Sequence, residues 1–282
     1  MPYSDIDLER WREYDHVWTD SLWHIEARDR SGGHQLDYHG GFVPQIATQA
    51  YLRYTREDEI VLDLFLGSGT SAIEAERLNR RLIGVELKPD LLESVRHKLS
   101  AHLLDDRIRL LAGDSASSET LMQVQQALEG MGAQHAQLVM LHPPYHDIIR
   151  FSDRTGDLSN APDLEAFLDG FEAVAANAWR SLEPGRFAVL VIGDKYSKGE
   201  LISLSFYCME RMQREGFHTK AIVVKNITGN ELGKGRDSNL WRYRALAGGY
   251  YVFKHEYVII MQKPATPRLT ERPGASRAAD EH

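Results

Sequence analysis

A single cysteine, Cys208, stands in the 282 residues, which excludes an internal disulfide and any thiolate-rich metal site. It is expected to be an inert residue on a helix. Long hydrophobic runs are missing: no segment approaches the ~18 unbroken apolar residues of a membrane span, so no membrane partner is expected. The opening residues, Met1-Pro2-Tyr3-Ser4-Asp5-Ile6-Asp7, lack the basic and apolar stretches of a secretory signal, and a cytoplasmic location is expected. Internal repeats are absent, and only residues 264–282, rich in Pro, Ala, Arg and acids, are compositionally biased. That stretch reads as a disordered tail. His24, His34 and His39 lie near one another, but no carboxylate pattern accompanies them, so no metal is expected.

Positive charge is also scarce. The formal net charge of −8 argues mildly against a polyanionic partner, because phosphate neutralisation needs local positive potential. The distribution qualifies this. Between Lys220 and Lys254 seven basic residues face only Glu231 and Asp237, and Trp241, Tyr243, Tyr250 and Tyr251 are interleaved with them. Basic and aromatic side chains mixed in this way suit a nucleic-acid surface.

What the chain does contain is an alternation of short apolar runs and amphipathic stretches. Strands are predicted at 60–65, 81–86, 108–112, 137–141, 186–192, 218–225 and 254–262. Helices are predicted near 71–79, 89–102, 119–128, 163–182 and 201–215. A turn at Pro184-Gly185 should precede the fifth strand. Strands separated by helices of this length pair in parallel through right-handed crossovers, giving an α/β fold with a doubly wound, mostly parallel seven-stranded sheet and helices on both faces. Residues 226–253 hold no convincing helix and read as a long loop.

In such a sheet a ligand sits beyond the carboxyl ends of the strands, beside the first one. Asp63-Leu64-Phe65-Leu66-Gly67-Ser68-Gly69-Thr70 occupies that place. Its glycines permit a tight turn and close backbone approach, and the following helix offers free N–H groups. Glu86 ends the next strand, where a carboxylate can accept hydrogen bonds from ribose hydroxyls. Asp114, after the third strand, is placed to bind an adenine amine or to cap a helix. These features fit any adenosine-containing cofactor, and Gly67, Gly69 and Ala72 also satisfy the loose dinucleotide pattern, so an NAD-linked oxidoreductase stays open.

His142-Pro143-Pro144-Tyr145 follows the fourth strand and separates these readings. Two prolines stiffen the backbone and remove two N–H donors, leaving carbonyls fixed toward a ligand. A planar amine donating to them would have its lone pair freed for attack while Tyr145 stacks on the ring.

On these residues the sequence resembles the DNA amino-methyltransferases, over roughly 19–263. That family modifies adenine N6 or cytosine N4 and carries Pro-Pro-Tyr or Pro-Pro-Phe preceded by Asp, Asn or Ser. The resemblance implies a class I, Rossmann-like methyltransferase fold, S-adenosylmethionine as cofactor with S-adenosylhomocysteine as product, and no metal. It assigns Phe65, Gly67 and Gly69 to the cofactor's methionine part and Glu86 to its ribose. The segment His39 to Ile46 looks like the family's additional cofactor-contacting stretch, and His255 to Ile260 resembles its terminal strand.

The full cofactor set expected is Phe42, Pro44, Gln45, Asp63, Phe65, Gly67, Ser68, Gly69, Thr70, Glu86, Leu87, Asp114 and Ser115. His142, Pro143, Pro144 and Tyr145 are the expected catalytic residues. His142 departs from the family pattern, but a neutral imidazole can still accept a hydrogen bond. Adenine N6 in a flipped-out base of double-stranded DNA is the favoured target. Cytosine N4, then RNA or a protein amide, then the oxidoreductase remain alternatives, beside a noncatalytic DNA-binding module. Arg150, Arg154, Lys234, Arg236, Arg242 and Arg244 are the expected DNA contacts, in loops 146–162 and 226–253 of a methyltransferase domain spanning 41–263. Residues 1–40 form an arm anchored on the body by Trp11, Trp18 and Trp23, and so little recognition surface suggests a homodimer.

Overall fold

The computed structural model describes residues 3–31, 34, 40–104, 106–227 and 238–265. In chain order its strands are β1 (Leu22–Trp23), β2 (Ile60–Asp63), β3 (Arg81–Glu86), β4 (Ile108–Ala112), β5 (Ala136–Leu141), β6 (Leu182–Ile192), β7 (Lys195–Ser197), β8 (Glu200–Ile202), β9 (His218–Asn226) and β10 (His255–Gln262). The helices are α1 (Pro44–Tyr54), α2 (Thr70–Arg77), α3 (Pro89–Arg96), α4 (Ser118–Gly130), α5 (Leu164–Ser181), α6 (Leu204–Arg214) and α7 (Ser238–Gly248).

β2 is buried at all four positions, as expected of a central parallel strand covered on both faces. The large sheet runs β1-β9-β10-β6-β5-β2-β3-β4. β2 to β6 pair in parallel, and β10 lies antiparallel to both β6 and β9. This is the doubly wound, mostly parallel arrangement expected from the sequence. The antiparallel β10 between β6 and β9 departs from the consecutive 3-2-1-4-5-6 strand order of dinucleotide-binding folds. Phe167, Phe171 and Leu204 pack on one face of the sheet, and Ile46, Tyr51 and Ile73 on the other.

Several expected elements differ. An eighth strand, β1, extends the sheet by pairing in parallel with β9. Helix α1 occupies the stretch expected only as a cofactor segment, and Pro44 at its first turn is the signal for it. The predicted helix 89–102 stops at Arg96 and ends in a short 3-10 turn at Ala101–Leu103. Pro184-Gly185 lies within β6, where a positive φ of 88° at Gly185 lets the strand continue. The start of the predicted helix 201–215 is instead a hairpin, β7–β8, whose Lys198 and Gly199 both adopt positive φ. Within the expected loop 226–253, residues 238–248 form α7.

The arm meets the body through Trp18 and Trp23, whose rings pack edge to face at 5.1 Å. Gln49 of α1 accepts from the Trp18 N–H at 2.8 Å and donates to the His16 carbonyl at 2.9 Å. Trp11, expected as a third anchor, is 58% exposed, with the Arg12 guanidinium over its ring. Deeper in, the buried Glu74 carboxylate binds His34 Nε2 at 2.8 Å, Thr48 and Arg77, so His34 joins arm to body. Cys208 is buried on α6 and its thiol is pushed up by that burial. Among the described residues no helix is long and apolar enough to cross a membrane.

Candidate active site

A cavity of about 1260 Å³ opens at the ends of β2, β3 and β5, with residues of the β2–α2 turn, Glu86, Asp114 and His142 to Tyr145 in one continuous wall. This is the crevice that the topology of an open α/β sheet dictates.

One half is built on the glycine turn. Gly69 adopts φ of 87°, and a Cβ there would lie 2.7 Å from Val95, so only glycine fits between the turn and α3. Gly67 donates its N–H to Glu86 Oε2 at 2.9 Å, and Lys88 donates its N–H to Glu86 Oε1 at 3.0 Å. Both oxygens are thereby oriented, while burial raises the carboxyl above its usual range. Phe42, Phe65, Gly67, Ser68, Thr70, Glu86, Leu87, Asp114 and Ser115 all line the cavity. Asp114 is not a helix cap: it accepts from the Ala116 N–H at 2.9 Å, and Ser117 caps α4 instead.

Four expected cofactor positions act from behind the wall. Gly69 faces Val95. Asp63 is 1% exposed and accepts from the Phe65 N–H at 2.9 Å, bracing the turn from beneath. Its Oδ2 has no hydrogen-bond partner. Burial pushes this carboxyl up to about 6, eased by the nearby Ser71 hydroxyl, which does not reach bonding geometry, and by the Phe65 N–H. Pro44 opens α1, and Gln45 holds the arm by accepting from the Asp29 N–H at 3.1 Å and donating to the Ala27 carbonyl at 2.7 Å.

That arm supplies a residue the sequence reading missed. Arg28 lines the cavity and donates to the Gly41 carbonyl at 3.2 Å, while its buried Nε has no partner. Gly41 lies against it and against the hydroxyls of Ser68 and Thr70 at the start of α2. A guanidinium beside a helix N-terminus is a ready carboxylate site.

The other half centres on His142-Pro143-Pro144-Tyr145. The His142 ring meets Phe42 and Tyr145 edge to face at 5.3 and 5.8 Å. Burial pulls its imidazole down to about 4, opposed by Glu256 and assisted by Lys225, so the ring is neutral at physiological pH. A Cβ at Gly193 would come within 2.8 Å of the Tyr145 ring. The Tyr145 hydroxyl donates to Glu256 Oε2 at 2.8 Å, and Glu256 Oε1 accepts from Lys225 Nζ at 2.7 Å. Burial and the Glu256 carboxylate keep the phenol protonated. Lys225 and Glu256, both unassigned from sequence, are register partners across β9 and β10. Their only signal was a charge flanking an apolar run in each strand, Ala221 to Val224 in β9 and Val258 to Met261 in β10.

The expected DNA contacts that the structure describes lie on two segments, the loop after β5 and α7. Arg150 and Arg154 are exposed, and Arg150 pairs with Asp153 at 2.7 Å. The rest of loop 146–162 roofs the cofactor half, where Phe151, Gly156 and Asp157 line the cavity. Arg242 and Arg244 are exposed on α7, and Lys234 and Arg236 lie outside the described residues.

Residues 3–97 match the DNA methylase family. Over 95 residues the chain is 32% identical to the Type II methyltransferase M2.DpnII of Streptococcus pneumoniae, a match covering 34% of each chain. It is 27% identical over 192 residues to the tRNA1(Val) (adenine(37)-N6)-methyltransferase of Phocaeicola vulgatus, covering 65% of this chain and 74% of that one. Among solved structures, the precorrin 8w decarboxylase of Methanobacterium thermoautotrophicum aligns over 84% of this chain and 98% of its own, with a TM-score of 0.50 at 15% identity, a likeness of fold alone.

Proposed function

We propose that the chain is a DNA amino-methyltransferase that transfers a methyl group from S-adenosylmethionine to the N6 amine of adenine in double-stranded DNA, a reading supported by the DNA methylase match over residues 3–97 and by the two Type II methyltransferases that match about a third of the chain. The observation that carries this reading is the sharing of one cavity by the glycine turn with Glu86 and by His142 to Tyr145. Adenine is further supported by the tRNA adenine-N6 enzyme, which matches over most of its length.

The residues present fit the cofactor. Arg28 with Ser68 and Thr70 would hold its carboxylate, Glu86 its ribose hydroxyls and Asp114 its adenine amine, and Gly67 brings backbone without a Cβ to the cavity wall. Bound there, it supplies an electrophilic methyl group on sulfur.

The chain's own residues prepare the amine. Neutral His142 accepts one of its hydrogens and the Pro143 carbonyl accepts the other, which turns the nitrogen lone pair toward the methyl group. The proton that the amine loses on methylation would pass to the His142 imidazole or to water. Tyr145, packed against Gly193, offers its ring to the base. Arg150, Arg154, Arg242 and Arg244, with Lys234 and Arg236, are proposed phosphate or base contacts, and a homodimer would double the recognition surface. An NAD-linked oxidation leaves the Pro-Pro-Tyr segment without a role.

Transfer of a labelled methyl group to duplex DNA, single-stranded DNA and bulk tRNA tests the reading. Label in duplex DNA, recovered as N6-methyladenine, is expected. Label confined to tRNA would move the substrate to the class that the Phocaeicola relative's name describes, and N4-methylcytosine would reverse the choice of base.

A further inference from the structure

A chain of polar groups, buried at Lys225 and Glu256 and half-buried at Tyr145 and His142, runs from the antiparallel strands into the cavity. Lys225 is 3% and Glu256 8% exposed. A buried ion pair is no more stabilising than two well-packed apolar side chains, and its best-attested use is to specify one arrangement.

The proton inventory of this chain is constrained. The Tyr145 hydroxyl has one proton and spends it on Glu256 Oε2 at 2.8 Å. Its oxygen can then only accept. His142 Nε2 stands 3.5 Å from that oxygen, so a hydrogen bond between them requires the nitrogen as donor. A neutral imidazole carries one N–H, which leaves Nδ1 with a bare lone pair. Among the described residues Nδ1 has no protein partner, and the ring lines the cavity.

Resting on the methyl-transfer reading above, we propose that Glu256, oriented by Lys225, is a positioning residue: by accepting the Tyr145 hydroxyl proton it fixes His142 as the Nε2–H tautomer and presents Nδ1 as the acceptor for the target amine. The ordinary Asp, Asn or Ser at this position has an oxygen acceptor that needs no such selection. An imidazole does, because the wrong tautomer would point an N–H at the amine.

Glu256→Gln gives the decisive variant. Lys225 still requires an acceptor and selects the amide oxygen, which turns the NH2 group toward Tyr145. The hydroxyl proton must then point to His142 Nε2, and the imidazole proton moves to Nδ1. Long-range 1H–15N spectra of imidazole-labelled protein, with His142 assigned by a His142→Gln control, read the tautomer without any turnover. Wild type is expected as Nε2–H, Glu256→Gln as Nδ1–H and Tyr145→Phe as a mixture. The two variants should bind S-adenosylhomocysteine within about threefold of wild type, whereas turnover of Glu256→Gln falls about 100-fold, the scale of losing one preorganised hydrogen bond. An Nδ1–H wild type, or an Nε2–H state unmoved in both variants, overturns the proposal. Should Glu256→Gln fail to fold, Tyr145→Phe alone decides it, since it deletes only a hydroxyl. An active wild type whose tautomer ignores Glu256 sinks the positioning role and leaves methyl transfer standing. The predicted tautomer in a protein that methylates no nucleic acid supports the tautomer assignment and sinks the function.

Discussion

The Gly67 N–H donates to Glu86 Oε2 at 2.9 Å, which ties the turn after β2 to the last residue of β3. The proposed cofactor site is therefore built on a backbone donor and a carboxylate that hold each other in place.

Replacing Glu86 with Ala should weaken S-adenosylhomocysteine binding by about 2 kcal/mol, or ~30-fold, the value of hydrogen bonds to a charged group. Calorimetry checks this, and an unchanged affinity would remove Glu86 from the cofactor site.

Arg28→Met keeps the aliphatic stem and removes the charge. It should cost a further 10-fold or so in cofactor affinity at low salt, with a smaller effect at high salt. A loss that does not depend on the ligand's carboxylate, measured by comparing S-adenosylhomocysteine with its decarboxylated analogue, would contradict the assignment.

At Gly193 the expected effect is on turnover alone. A methyl group there would sit 2.8 Å from the Tyr145 ring, displacing the ring by a distance that matters to a positioned substrate. Gly193→Ala should lower kcat about 100-fold while leaving cofactor affinity intact. Equal losses in both would point to general misfolding.

The imidazole of His142, held down to about 4 by burial, has a consequence for stability. Its folded value lies below the ordinary ~6.5, so as pH falls from about 6.5 toward 4 the unfolded chain takes up a proton that the folded chain refuses. Stability is lost across that window, by on the order of 2 kcal/mol at pH 5. Urea unfolding at pH 7 and pH 5 should show a smaller difference in His142→Gln than in wild type. An identical difference would mean that the ring is solvated.

Much of this site was legible because it is written locally. The glycine turn answers to steric rules, Pro143-Pro144 to the loss of two donors, and the strands from Ile60 to Ile192 to continuous apolar runs. The missed parts depend on contacts between distant segments. Lys225 reads in sequence as one of several basic residues in its run, and meets Glu256, 31 positions away, only because β9 and β10 pair antiparallel. Arg28 reaches the cavity on an arm that Gln45 pins from α1. β1 is two residues long, too short for any periodicity to show.

The arm is held by Glu74, which accepts from His34, Thr48 and Arg77 without being exposed. Glu74→Ala strands these donors and should destabilise the protein by about 3 kcal/mol. Trypsin should then cut earlier at Arg28 and Arg30. Unchanged cleavage kinetics would show that Trp18, Trp23, Gln45 and Gln49 hold the arm without Glu74.

The most direct test of the central claim is nucleoside mass spectrometry of genomic DNA from a methylation-deficient host expressing the wild-type chain or its Tyr145→Ala variant. N6-methyladenine is expected with the wild type and background levels with the variant. N6-methyladenine absent from DNA in both, with folded protein that binds S-adenosylhomocysteine, would contradict it.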